Sequence, residues 1–123
     1  MTKTVYCLLY TTDVMKSVAF YEKMLGMPPL EAFPTFASFL LNDGMRLGLW
    51  STSTVAPDVT PAGGSEVALV VKSADDVDAK CAEWTSLGAT ILQEPTDLVF
   101  GRTFLAADPD GHRIRVFNEN NPV

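Results

Sequence analysis

Beside its 15 acidic residues, this chain has few imidazole or thiol groups for covalent or metal chemistry: one histidine, His112, and two cysteines, Cys7 and Cys81. A tightly held divalent ion needs three or four imidazole, thiolate or carboxylate donors that converge. The cysteines sit in unrelated stretches without metal-type spacing, and they read as two buried thiols in a reducing compartment rather than as a disulfide. His112 follows Gly111 in a turn segment, and strand alternation turns it away from the face that Arg115 takes. That gives it a surface or helix-packed place, not a catalytic one. The formal charge of −6 leaves no basic patch for phosphates, so neither nucleic acid nor an anionic membrane surface is an expected partner. What remains usable is aromatic surface and a few charged groups, and their use depends on which face of which element holds them.

The elements follow one pattern written twice. Residues 5–10 read as a strand from their β-branched, aromatic and aliphatic content. A helix over 14–25 follows, with Asp13 as its N-cap, Val14, Val18, Tyr21 and Leu25 along one face, and Gly26 at its end. Strands are expected over 28–33, 36–41 and 45–50, the last two joined by Asn42-Asp43-Gly44, a strong hairpin signal. The second half repeats this grammar: a strand over 66–71, Ser73 capping a helix with Asp76 three residues on, then Val77, Cys81 and Trp84 on one face and Gly88 closing it. Strands over 90–93, 103–107 and 112–118 complete it, with Asp108-Pro109-Asp110-Gly111 turning between the last two.

The expected architecture is therefore α+β, two tandem βαβββ modules, with module one over about 1–52, a linker or flap over about 53–64 and module two over about 65–120. With 123 residues, 47% of them apolar, the chain suits a single domain with a real core. Residues 1–13 lack the apolar core of a signal peptide, and no run approaches the roughly 18 apolar residues of a membrane span, so a cytoplasmic protein is expected. One helix per module covers only one face of its sheet. The two uncovered faces, curving together, are expected to form a trough that holds a ligand.

The stretch from Asp13 to Gly26, with Phe20-Tyr21 and Leu25-Gly26, and the Asp108-Pro109-Asp110-Gly111 turn before the last strand, resemble the vicinal oxygen chelate superfamily. That superfamily includes glyoxalases, extradiol dioxygenases, and bleomycin- and phenazine-resistance proteins. Two stretches are most similar to the phenazine antibiotic-resistance proteins: Leu49-Trp50-Ser51, and Val99-Phe100-Gly101-Arg102-Thr103-Phe104 through Arg113-Ile114-Arg115-Val116. The resemblance covers nearly the whole chain and is specific for fold rather than for function. It also implies a symmetric homodimer, which would cover open apolar sheet faces.

Metal-dependent members of that superfamily place ligands on the first and last strands of each module. The matching positions here hold Tyr6, Gly48, Glu66 and Arg115, and glycine offers no donor while arginine offers only positive charge. The resemblance thus implies no metal and no cofactor, with Glu66 and Arg115 forming an ion pair in the metal's place, worth about 0.2 to 1 kcal/mol when partly solvated. Trp50 shares the face of Gly48 by the period of two, as Tyr6, Leu8 and Tyr10 share theirs, while Cys7 points toward the helices. Trp50, with a cluster drawn from Phe36, Phe39, Phe100 and Phe104, would offer flat π-surface, and Gly48 would leave room for a slab. Arg102 would add a cation over a ring or a donor to a carboxylate.

The expected ligand-binding set is Trp50, Tyr6, Gly48, Phe39, Glu66, Phe104, Arg102 and Arg115, with no catalytic residue. The expected function is metal-independent sequestration of a small planar aromatic antibiotic or secondary metabolite. The alternatives are a glyoxalase-like lyase or dioxygenase, which needs a metal, and a metal-independent enzyme using Glu66 or Tyr6 for proton transfer.

Overall fold

The computed structural model describes residues 4–119. The chain divides between Ala62 and Gly63 into two compact units, each with the order β-α-β-β-β.

The first unit contains β1 (Val5–Thr11), α1 (Val14–Leu25), β2 (Glu31–Phe33), β3 (Phe36–Asn42) and β4 (Met45–Ser51). Its sheet runs β1-β4-β3-β2, with β1 parallel to β4 and the other pairs antiparallel. Helix α1 begins and ends where the sequence puts it. The Asp13 carboxylate accepts from the Lys16 N–H at 3.1 Å, and Gly26, at φ 68°, donates its N–H back to the Glu22 carbonyl at 2.9 Å. Val14, Val18, Tyr21 and Met24 are buried on the helix, and Leu9, Ala37, Phe39, Leu47 and Leu49 are buried on the sheet. Leu25, expected on that face, is only half-buried, and Met24 takes the deeper place. Strand β2 is shorter than expected because Pro28 and Pro29, which have no N–H to donate, precede it.

The second unit contains β5 (Glu66–Val70), α2 (Ala74–Ser86), β6 (Thr90–Leu98), β7 (Gly101–Ala107) and β8 (Arg113–Phe117). Its sheet runs β5-β8-β7-β6, with β5 parallel to β8. The Ser73 hydroxyl accepts from the Asp76 N–H at 3.2 Å, and Asp75 and Asp76 lie in the first turn, where the helix dipole favours negative charge. Val77, Cys81 and Trp84 bury against the layer of Phe104, Ala106, Ile114 and Val116, with the Trp84 and Phe104 rings T-shaped at 5.4 Å. Strand β6 runs five residues past its expected end, through Pro95. It is an edge strand, where a missing N–H is tolerated, and its pairing with β7 shifts register on either side of Gln93.

The turn before β8 is organised by a buried carboxylate. Asp108 Oδ1 accepts from the N–H groups of Asp110 and His112, each at 2.9 Å, while the Asp108 N–H donates to the His112 carbonyl at 2.9 Å. Strand pairing therefore resumes at Ala107 and Arg113, one residue later than a loop confined to 108–111 would allow.

Candidate functional site

In each unit the helix covers one face of the sheet, and the other face carries the residues of interest. In the first unit that face takes Tyr6, Leu8 and Tyr10 from β1, Arg46, Gly48 and Trp50 from β4, Phe36, Ser38 and Leu40 from β3, and Glu31 and Phe33 from β2. The strand register, together with the alternation of burial along β1, supports this assignment. The register aligns Tyr10 with Trp50, Trp50 with Phe36, and Phe36 with Phe33. Four aromatic side chains thus form one row across all four strands. Tyr10 and Trp50 meet edge to face at 6.2 Å, and Tyr6 extends the surface from Phe36 at 6.3 Å.

Trp50 is half-buried, and its orientation is fixed from outside the sheet. Its indole Nε1–H donates to Thr54 Oγ1 at 3.0 Å, and Thr54 is in turn anchored by its own N–H and hydroxyl to the Ser51 carbonyl, at 3.0 and 3.2 Å. A ring held this way loses little freedom when something stacks on it, which is how preorganisation raises affinity. Neither Thr54 nor Phe33 was expected at the site. The hydroxyl-rich stretch after Trp50 signalled a turn but not a partner for the indole, and Phe33 joins only through the β2–β3 pairing.

In the second unit the uncovered face presents Glu66, Arg115 and their neighbours. Arg115 donates from Nε to Glu66 Oε1 at 2.7 Å and from Nη2 to Oε2 at 2.9 Å, a bidentate pair, and its Nη1 donates to Gln93 Oε1 at 3.2 Å and Thr103 Oγ1 at 3.1 Å. The hydrogen bonds from Arg115 hold the Glu66 carboxyl below its ordinary pKa against the opposing effect of partial burial, with the charges of Arg115 and Arg113 adding to the lowering. Burial raises the pKa of both thiols, and Cys7 and Cys81 are free.

The four corner positions do not fit a divalent ion. Glu66 spends both oxygens on Arg115, and Tyr6 Oη faces the Arg46 guanidinium at 3.4 Å. Among the described residues no three His, Cys, Asp or Glu side chains gather as a metal would need.

Four members of the expected ligand set lie elsewhere or differ in kind. Phe39 is fully buried beneath α1, 6.4 Å from Tyr21, because β3 carries a register shift between Leu40 and Asn42 that sets Ser38, not Phe39, opposite Gly48. Phe104 is fully buried against Trp84 because the longer turn after Asp108 sets Leu105, not Phe104, opposite Arg115. Arg102 shares the phase of Phe104 and is spoken for: its Nε donates to Asp78 on α2 at 2.7 Å and its Nη1 to Asp97 on β6 at 3.1 Å. Gly48 leaves no room for a slab. A Cβ there would come within 2.6 Å of Leu8 Cδ2 and 3.2 Å of the Phe36 ring. Trp50, Tyr6, Glu66 and Arg115 all stand on uncovered faces.

This twofold βαβββ order belongs to a family that comparison with known proteins identifies directly. The chain belongs to the Glyoxalase/Bleomycin resistance protein/Dioxygenase superfamily, whose family model matches residues 3–116. Among individual relatives, it is similar to the phenazine antibiotic resistance protein EhpR of Enterobacter agglomerans, 34% identical over 112 residues, covering 89% of this chain and 86% of that protein. A protein of Agrobacterium tumefaciens solved in solution is 43% identical with a TM-score of 0.87, covering 98% of this chain and all of that one. A glyoxalase-related enzyme of Fulvimarina pelagi, 22% identical with a TM-score of 0.85 over 97% of this chain and 89% of its own, shares the fold.

Proposed function

We propose that this protein binds and sequesters a small planar aromatic compound, without a metal and without altering it chemically. The observation that carries the reading is the row Tyr10, Trp50, Phe36 and Phe33 across one uncovered sheet face, with Trp50 pinned by Thr54. Flat rings gain most from such a surface, since stacking adds to area burial. The bidentate Glu66–Arg115 pair supports a binding role as well, because it engages both oxygens of Glu66, the corner carboxylate on which proton transfer or metal binding would draw. The relative from Enterobacter agglomerans, named for resistance to phenazine antibiotics, agrees with a tricyclic ligand. A cytoplasmic, symmetric homodimer belongs to the same reading, and light scattering at micromolar concentration tests the dimer.

Titration with phenazine and related tricyclics is expected to quench Trp50 emission and raise the melting temperature, since a ligand that binds only the folded state stabilises it. Unchanged emission and melting across such a set would overturn the proposal. So would a stoichiometric divalent ion in protein purified without chelator, which would restore the lyase or dioxygenase reading.

A further inference from the structure

Among the described residues, one cation on the aromatic face, Arg46, has no carboxylate partner. Arg46 lies on β4 in phase with Gly48 and Trp50, directly opposite Tyr6 on β1 and Leu40 on β3. Its guanidinium carbon sits 5.9 Å from the centroid of the Tyr6 ring, and its Nη1 donates to Tyr6 Oη at 3.4 Å, near the limit of a hydrogen bond. A guanidinium carries five N–H donors, and this single long contact engages one.

The chain's other structured arginines are treated differently. Arg102 holds Asp78 and Asp97, Arg115 holds Glu66 by both oxygens, and Arg113 stands opposite Glu66, whose carboxyl feels its charge. Among the described residues no carboxylate pairs with Arg46, although the chain as a whole has 15 acidic residues against 9 basic ones. An arginine left half-buried beside aromatic rings, with its planar donor fork largely unused, is suited to a carboxylate brought by something else.

The spacing fits a flat acid. Arg46 and Trp50 are four residues apart on one strand, about 13 Å. Beside them the rings of Phe36 and Tyr6, 6.3 Å apart and tilted 59° to one another, offer aromatic surface along that span. A two- or three-ring system stacked on one of these rings and bordered by the other brings a carboxylate on its outer ring to the Arg46 fork.

We propose that Arg46 is the anion-recognition residue of this face, and that the ligand class is planar aromatic carboxylic acids rather than neutral planar aromatics. This inference rests on the sequestration reading and narrows it.

Calorimetric titration of the full chain with phenazine and with phenazine-1-carboxylate, at a pH where the acid is ionised, separates the two claims. The wild-type protein is expected to bind the carboxylate about tenfold more tightly than phenazine, a factor that shrinks as salt is added. In Arg46→Gln the ratio is expected to fall close to one, and in Arg46→Lys, which keeps the charge and loses the fork, to lie between. Melting temperatures near wild type in both variants establish that the fold is intact. Equal affinities for the two compounds in the wild-type protein, or a preference that survives Arg46→Gln, would overturn the role of Arg46 while leaving sequestration standing. Failure of both compounds to bind the wild-type protein would remove the sequestration reading and this one together.

Discussion

Arg115 grips both oxygens of Glu66 although the strand register sets Ala68, not Glu66, directly across from it. The guanidinium reaches diagonally along β5, and Glu66 itself faces Arg113. The same position in the first unit pairs Tyr6 with Arg46, and Leu8 with Gly48. The two units therefore carry the same corner with different contents: a closed ion pair in one, and an aromatic surface with an open cation in the other.

The pair makes stability depend on acid pH. Because the folded-state pKa of Glu66 lies below its unfolded value, its contribution is complete above the unfolded value of about 4.3 and is lost as pH falls through the lower folded value. Glu66 keeps 31% of its side chain exposed, so the contribution is about 1 kcal/mol at most. Urea denaturation at several pH values should show Glu66→Gln less stable than wild type at pH 7, with the difference shrinking as pH falls below about 4.3. A difference that does not shrink at all as the solution is acidified contradicts this assignment.

Two phenylalanines are core residues and one tryptophan is not. Phe39→Ala and Phe104→Ala should each cost about 3 to 5 kcal/mol, since both side chains are fully buried against α1 or α2. Trp50→Ala should cost less than about 2 kcal/mol while abolishing ligand-induced quenching. Equilibrium unfolding of the three variants checks the order. A Phe39→Ala protein as stable as wild type would place that ring outside the core.

Space over Gly48 is occupied by side chains that can move to different degrees. Leu8 Cδ2, 2.6 Å from a Cβ built at Gly48, is the tip of an exposed side chain, whereas the Phe36 ring at 3.2 Å must shift by a few tenths of an ångström. Gly48→Ala should therefore change stability by less than about 1 kcal/mol, and Gly48→Val should cost about 1 to 3 kcal/mol. Adding Leu8→Ala to Gly48→Val should recover part of that loss, which a double-mutant cycle measures. Strict additivity of the two substitutions would show that Leu8 is not what a larger side chain meets.

Much of the fold is legible in the chain because its signals are local. Asp13 and Gly26 bound α1 through hydrogen bonds to residues three or four positions away, and Ser73 does the same for α2. The internal duplication shows in the order of the elements, and the period of two groups the residues that share a face within each strand; the family resemblance implies that the face of Tyr6, Trp50, Glu66 and Arg115 is the uncovered one. What the residues alone could not decide is the phase of one strand against the next. A bulge in β3 and one added residue in the turn after Asp108 each slip the register by one, and a slip of one moves every side chain of a strand to its other face. That carried Phe39, Phe104 and Arg102 away from the expected site and brought Phe36 onto it beside Trp50. Such slips depend on hydrogen bonds between backbones distant in sequence and on which rings pack best under the helices, and only the folded chain brings those groups together.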